Sequence, residues 1–512
     1  MGWDGIQRRL SCFMAATGHY IGCDLSDVTP LCAPWENANG VFFPPLSRSA
    51  ALLSFELAAS AYDMNLDSWR EAGWRDFSYQ IDNALYTGPS LNKPAGSGIG
   101  SVISDYLHHL AQARLNRLNP ISQIRGALRQ RESSDTCKAI IMLHPAPNGR
   151  WIVAIGFMGT GKRIYDWFSN FRLSAEEGVH SGFLQLTREF ENRCDEISFS
   201  ETAKELGLER LTLRDILEEC RKPHSRFQLW LAGHSQGGAV MQLFALRLIR
   251  DGTLKQNLLG YSFASPSTVY EHPAFDLGSI PLYHIINADD IFPRMGASFH
   301  AGRCLIMDPD QDMRRVCYGN AGKEPLFRTV HGVLRRVTNS PRAFIVTTAM
   351  LQALEELPPE DAMAVLNGLI RQIIPERLLG PLGNRREDIL QALTRRTAQG
   401  YEMASGEKEM SADQLYILRR RIVGLISLYG PKAFSAVVLS ALSFPHKLRG
   451  IYPGNRLAPY QYIVTERFND LRQAVWHAPA SGMDASLIRS GRRLPQGRFH
   501  SFSAARMRRA NR

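Results

Sequence analysis

At 512 residues the chain is long enough to bury a large core and to hold more than one folded unit. Its 44% hydrophobic and 21% charged residues are the proportions of an ordinary soluble globular protein. No apolar run reaches the length of a bilayer span, the best stretch, Val41 to Ala61, being broken by Pro44, Pro45, Arg48 and Glu56. The formal charge of +11 is concentrated at one end: eight arginines and no acid between Arg489 and Arg512 leave only about +3 for the rest. Such a tail suits anionic lipid or an acidic partner, or is simply solvated. Nucleic acid is a weaker partner for it, with only Phe499 and Phe502 interleaved.

Eight cysteines occur without a C-x-x-C pair or zinc-ligand spacing, so they are expected to be reduced, with Cys304 and Cys317 a pair that would bridge only in an exported chain. Arg8 and Arg9 precede SCFMAATGHYIG, but His19 and the lack of a firm apolar block do not make a secretory signal. The expected location is cytoplasmic, with peripheral membrane association or non-classical export as alternatives.

In chain order, residues 1–45 are irregular, with prolines at 30, 34, 44 and 45. Apolar spacing in SRSAALLSFELAASAYDM predicts a helix, and a second is expected from Ile99 to about Arg117. KAIIMLH, Pro147-Asn148-Gly149 and WIVAIGFMG read as two strands and a turn, both runs continuously apolar as in a sheet covered on both faces. Helices follow at Gly182 to Asn192 and around Leu211 to Cys220. The stretch RFQLWLAGHSQGGAVMQLFALRLIR is a strand, a tight turn and an amphipathic helix. LLGYSFASP, PLYHIINADDIFP and RCLIMD are further strands. This alternation predicts an α/β fold with a mainly parallel sheet flanked by helices. From about Pro341 to Phe444 the pattern is helical alone, with Ser411 and Gln414 spaced as a capping box. Beyond His446 the chain reads as loop with one helix, Val464 to Val475. The expected division is an irregular segment 1–45, an α/β unit 46–335, a helical insertion or appendage 336–445, and a C-terminal segment 446–512.

The turn Gly233-His234-Ser235-Gln236-Gly237 matches G-x-S-x-G, which holds a serine at a sharp strand-to-helix corner. Its glycines answer a close approach of backbones, and the helix start places N–H groups where negative charge develops in acyl transfer. A base and an acid must follow. Asp290, just past the PLYHIIN strand, is placed at a strand tip, with Asp289 its competitor.

Four segments in order then resemble the class 3 lipases, the α/β-hydrolases related to fungal triacylglycerol lipases. They are Phe157-Met158-Gly159-Thr160, Val179-His180-Ser181-Gly182-Phe183, Gly233 to Gly238, and Asp290-Ile291-Phe292-Pro293, and the likeness covers roughly residues 46–335. The resemblance implies an α/β-hydrolase fold and hydrolysis of lipid or other esters through an acyl-enzyme, without metal or cofactor. It selects Asp290 over Asp289, and makes Thr160 and the N–H of Gln236 the oxyanion donors. It places a lid at about residues 161–173, where Trp167, Phe168 and Phe171 lie among Lys162, Arg163 and Arg172. Lid and basic tail together suggest contact with a membrane surface. Met158 departs from the usual arginine and Gln236 from the usual leucine. The histidine has no distinctive motif. His331, in RTVHGVLRR, is the first choice. His446 and His477 are alternatives if the helical unit is an insertion, and His300 lies too soon after the acid. The expected activity is that of a lipase or carboxylesterase, with a phospholipase or membrane-directed toxin, or an inactive binding protein, as alternatives.

Overall fold

The structure, a computed structural model, describes residues 23–32, 44–63, 66–78, 137–159, 175–270, 276–319 (without 295 and 298), 340–365 (without 359 and 363), 411–449 and 451–474 (without 453–455). Eight strands form one sheet: β1 (Arg75–Asp76), β2 (Ala139–Pro145), β3 (Trp151–Phe157), β4 (Phe227–His234), β5 (Leu258–Phe263), β6 (Leu282–Asn287), β7 (Arg303–Met307) and β8 (Arg472–Ala474). Their order in space is their order in the chain. Strands β3 to β7 are parallel, whereas β1, β2 and β8 join antiparallel at the edges.

The helices are α1 (Arg48–Asp63), α2 (Asp67–Glu71), α3 (Ser181–Asn192), α4 (Ser200–Glu205), α5 (Leu213–Glu219), α6 (Gln236–Arg250), α7 (Gln311–Tyr318), α8 (Ser340–Glu355), α9 (Ala412–Tyr429), α10 (Pro431–His446) and α11 (Pro459–Glu466). They divide between the two faces of the sheet. Because side chains alternate along a strand, Ile140, Met142, Trp230 and Ala232 enter one core, and Ile141, Leu143, Leu229 and Leu231 the other. The second core is closed by α3 to α6. The first is closed by α1 and by α7 to α11. This double cover explains why the strands are apolar without alternation.

Helix α1 is buried over most of its circumference, with Phe55, Leu57, Ala58 and Ala61 fully enclosed. Its small residues let it lie close to the middle of the sheet, and its two buried hydroxyls are used: Ser54 accepts from Trp230 Nε1 at 2.8 Å and Ser60 from Trp69 Nε1 at 2.9 Å. The helix after the Ser235 turn, α6, is similarly enclosed between sheet and α3, because Ala239, Val240, Leu243 and Phe244 all face protein.

Several sequence expectations are revised here. Ser411 stands at the N-cap of α9, but its side chain makes no capping bond. The helix expected at Val464 to Val475 lies instead at Pro459–Glu466, and the chain then enters the sheet as β8, paired with β7. Arg472-Gln473-Ala474 is too short and too polar to announce itself by periodicity. Cys304 on β7 and Cys317 on α7 are buried free thiols. The helix expected from Ile99 to Arg117, the lid segment and the arginine-rich tail lie outside the described residues. Among the described residues no single helix is long and apolar enough to cross a membrane.

Beneath β5 and β6 lies a buried Ser–His pair unconnected with the motifs. His284 Nε2 donates to the Ala301 carbonyl at 2.8 Å, so its Nδ1 accepts from the Ser262 hydroxyl at 2.6 Å. Burial, reinforced by the neighbouring His300, pushes the His284 imidazole down to about 3. The unfolded chain binds this proton below its ordinary value near 6.5 and the folded chain does not. The pair therefore contributes its full stability above pH 6.5 and loses it as pH falls towards 3. Denaturant unfolding should show stability falling by on the order of a few kcal/mol between pH 7 and pH 4. His284→Asn should flatten that slope, and an unchanged slope would show that the acid sensitivity arises elsewhere.

Candidate active site

Strand β4 ends at His234 and α6 begins at Gln236, leaving one residue, Ser235, to turn the corner. It does so at φ 55°, ψ −128°, in the left-handed half of the backbone map, where a residue with a Cβ is strained by about 1–3 kcal/mol. The surroundings enforce it. The Ser235 N–H donates to the Phe263 carbonyl on β5 at 2.9 Å, and the Ser235 carbonyl accepts from Ala239 in the first turn of α6 at 3.1 Å. A Cβ on Gly237 would stand 2.3 Å from the Phe157 carbonyl oxygen, and one on Gly233 would stand 2.6 Å from the backbone of Gly237. Both glycines are thus required by approach, as the sequence implied, and the end of β3 with Met158 and Gly159 is pressed directly against the corner.

Asp290 follows β6 by three residues and is fully buried. Its carboxylate is supplied with donors on both oxygens. Oδ1 accepts from the Phe292 N–H at 3.0 Å. Oδ2 accepts from His446 Nδ1 at 2.9 Å and from the Tyr460 hydroxyl at 2.8 Å. Burying an ion without such partners would cost many kcal/mol. Tyr460 remains a donor because burial, and then the Asp290 charge, hold its phenol well above its usual value. Asp289 takes a separate partner, a two-bond pairing with Arg314 at 2.8 and 3.0 Å, and is equally buried. The two adjacent carboxylates are thereby assigned to different environments, and it is Asp290 that bonds to the histidine at Ser235.

The histidine at Ser235 is His446. Its Nε2 lies 2.8 Å from Ser235 Oγ, and with Nδ1–H given to Asp290, Nε2 is left to accept the serine proton. His331, the first choice from sequence, lies outside the described residues, and the position it was expected to fill is occupied by the last residue of α10. The separation of 156 residues between Asp290 and His446 spans the helical stretch, after which the chain meets the tips of β4 and β6.

Three contacts hold His446 and its neighbour Pro445 in place that the sequence reading did not anticipate. His234 Nε2 donates to the His446 carbonyl at 2.9 Å, and His234 Nδ1 accepts from the Tyr62 hydroxyl at the end of α1 at 2.7 Å. Burial, then the proximity of His446, holds the His234 imidazole well below its ordinary value, so the ring is neutral and its tautomer is set by the carbonyl. Asn287 Nδ2 donates to the Pro445 carbonyl at 3.0 Å, and Phe292 lies against the His446 ring with centroids 4.1 Å apart. His180 of the V-H-x-G-F stretch has a different position: it caps α3 through Nδ1, 3.4 Å from the Phe183 N–H.

Gln236 is the first residue of α6, which sets its N–H at the positive end of the helix beside Ser235. Thr160, the other expected donor, lies outside the described residues, although its neighbour Gly159 is so close to the corner that a Cβ there would fall 2.5 Å from the His234 carbonyl. Among the described residues no group of three or more His, Cys, Asp and Glu is placed to hold a metal ion.

A serine raised at a strand-to-helix corner of a mainly parallel sheet, with a histidine at its hydroxyl and a buried aspartate behind, is the arrangement of an α/β-hydrolase. Residues 154–299 match a family model described as Lipase (class 3). That segment holds Ser235 and Asp290, and it ends well before His446. Similar solved structures include a lipase propeptide complex from Rhizomucor miehei, at 21% identity over 33% of this chain and 53% of that one, with a TM-score of 0.24. The Rhizomucor miehei triacylglyceride lipase is 23% identical over 33% of this chain and 62% of that one, with a TM-score of 0.23. Lipase II from Rhizopus niveus is 18% identical over 34% and 63%, with a TM-score of 0.24. This chain thus spans between half and two thirds of the length of the structures it matches. No curated protein matches it significantly.

Proposed function

We propose that this chain is a serine ester hydrolase that cleaves acyl esters of lipids through an acyl-enzyme. The observation that carries the proposal is the unbroken hydrogen-bonded line from Ser235 Oγ through His446 to Asp290 Oδ2, built on a strained serine. As Oγ attacks an ester carbonyl, His446 Nε2 takes its proton, and Asp290 holds the ring and stabilises the imidazolium that forms. The Gln236 N–H, with Thr160 as its expected companion, receives the developing oxyanion, each such donor being worth about 3 kcal/mol of barrier. His446 then delivers its proton to the departing alcohol, and water repeats the sequence in reverse to free the acid.

A catalytically silent lipase-like scaffold is the competing reading, and a histidine already in hydrogen-bond reach of Ser235 speaks against it. The test is covalent labelling. A fluorophosphonate probe should label the purified protein once, at Ser235, and the label should vanish in Ser235→Ala. The same protein should release p-nitrophenol from p-nitrophenyl esters. No label and no hydrolysis at any acyl length would overturn the proposal; with hydrolysis seen, triacylglycerol emulsions against phospholipid vesicles separate lipase from phospholipase.

A further inference from the structure

Helix α9 has two unlike faces. At about 100° per residue, Ile422 and Ile426, with the half-buried Leu415, Leu418 and Leu425, turn into the core beside α8. The opposite face carries Tyr416, Ile417, Arg420, Arg421 and Leu428 into solvent. Tyr416 is 57% exposed, Ile417 50%, Leu428 73% and Tyr429 39%, so four of the five large exposed apolar side chains among the described residues sit on this one helix. At Gly430 (φ 80°) the chain bends by 119° into α10, whose exposed Lys432 stands just beyond the corner. The cations Arg420, Arg421 and Lys432 are offset by a single exposed acid on that face, Asp413 in the first turn.

We propose that this face of α9 and the corner at Gly430 form a docking surface for an anionic lipid bilayer. The chemistry matches on both counts. Isolated aliphatic and tyrosyl side chains on a convex helix suit the boundary between headgroups and acyl chains, where no concave protein pocket is needed. The long basic arms between them suit anionic headgroups, each contributing roughly fivefold in partition near such a surface. The surface is also coupled to the chemistry: α10 leaves the docked corner and ends on His446, so the element that supplies the base is anchored at the interface. The inference rests on the helix surface and not on the activity of Ser235, and it is separate from the lid segment and the arginine-rich tail.

The experiment uses full-length Ser235→Ala protein, so that no lipid is consumed, and cosedimentation with phosphatidylcholine vesicles with and without phosphatidylserine. Binding should require phosphatidylserine. Ile417→Ser with Leu428→Ser, which leaves every charge in place, should weaken it at least about tenfold. Arg420→Gln with Arg421→Gln should weaken it by a similar factor and remove much of its salt sensitivity. Far-UV circular dichroism and the melting midpoint should not move, since all four side chains are exposed or snorkelled. Equal binding by the Ile417→Ser, Leu428→Ser variant would place the affinity on the tail at 489–512 and overturn the proposal. So would a dimer, seen by sedimentation velocity, that the same two substitutions dissolve, because the face would then belong to a second copy. Loss of vesicle binding with fluorophosphonate labelling of the Ser235-containing protein intact would leave the reading of the site untouched.

Discussion

On the proposed function, replacing His446 by alanine should lower kcat for a soluble p-nitrophenyl ester by about 10⁴–10⁶, as loss of the base does in serine hydrolases. Replacing His331 by alanine should leave kcat within about twofold. The contrast follows from distance. Ser235 Oγ has His446 Nε2 at 2.8 Å, and that ring is held by Asp290 at Nδ1 and by Phe292 against its face, while His234 fixes its backbone carbonyl. Measuring kcat and KM together decides whether chemistry or binding is lost, and KM should change little in His446→Ala. Because the serine alone has residual reactivity, fluorophosphonate labelling should slow rather than disappear. Full activity in His446→Ala, or its loss in His331→Ala, would reverse the assignment.

A chain cut after residue 335 should not fold, although it contains every residue that resembles the class 3 lipases. The missing part supplies Leu448, Tyr460, Ile463, Val464 and Phe468 to the core between α1 and the sheet. At roughly 2 kcal/mol for each large side chain, their burial amounts to about 10 kcal/mol, as much as the whole net stability of a typical domain. The cut also strips Asp290 of two of its donors, Tyr460 and His446, leaving a buried carboxylate short of partners. It removes as well the Val464 carbonyl that receives Arg48 Nε from α1, and the strand that covers the edge of β7. The truncated protein should be insoluble or lack a cooperative melt by circular dichroism. A soluble fragment with a sharp transition would show the 46–335 unit to be autonomous.

The parts of this fold that were legible in the sequence are those written in local physics. Strands β2 to β7 are runs of apolar residues with breakers between them, and double burial erases alternation, so their class followed from composition. The corner at Ser235 was legible because a close approach of backbones leaves glycine as the only fitting residue at 233 and 237. Asp290 could be placed at a strand tip by counting from PLYHIIN, although only the family likeness separated it from Asp289; the structure adds the reason, since Arg314 claims the neighbour. His446 was not legible in this way. It ends an apolar helix, KAFSAVVLSALSFPH, whose pattern speaks of packing, and nothing local in the sequence encodes a contact across 156 residues. The same holds for Tyr460 and Tyr62, ordinary aromatics on helices until the fold brings one to Asp290 and the other to His234. Strand β8 is three residues long, and its pairing exists only because β7 offers an open edge.

The distance along the chain between acid and base has a consequence in time. Ser235 and Asp290 leave the ribosome long before His446, and at 5–20 residues per second the interval is roughly 10–30 s. Throughout it the nascent chain carries a serine with no base, an aspartate without two of its three donors, and a sheet with an uncovered edge. On the proposed function, hydrolytic competence would therefore arrive late, with the same residues that complete the core, so that a half-made chain would be as inert as it is unfolded.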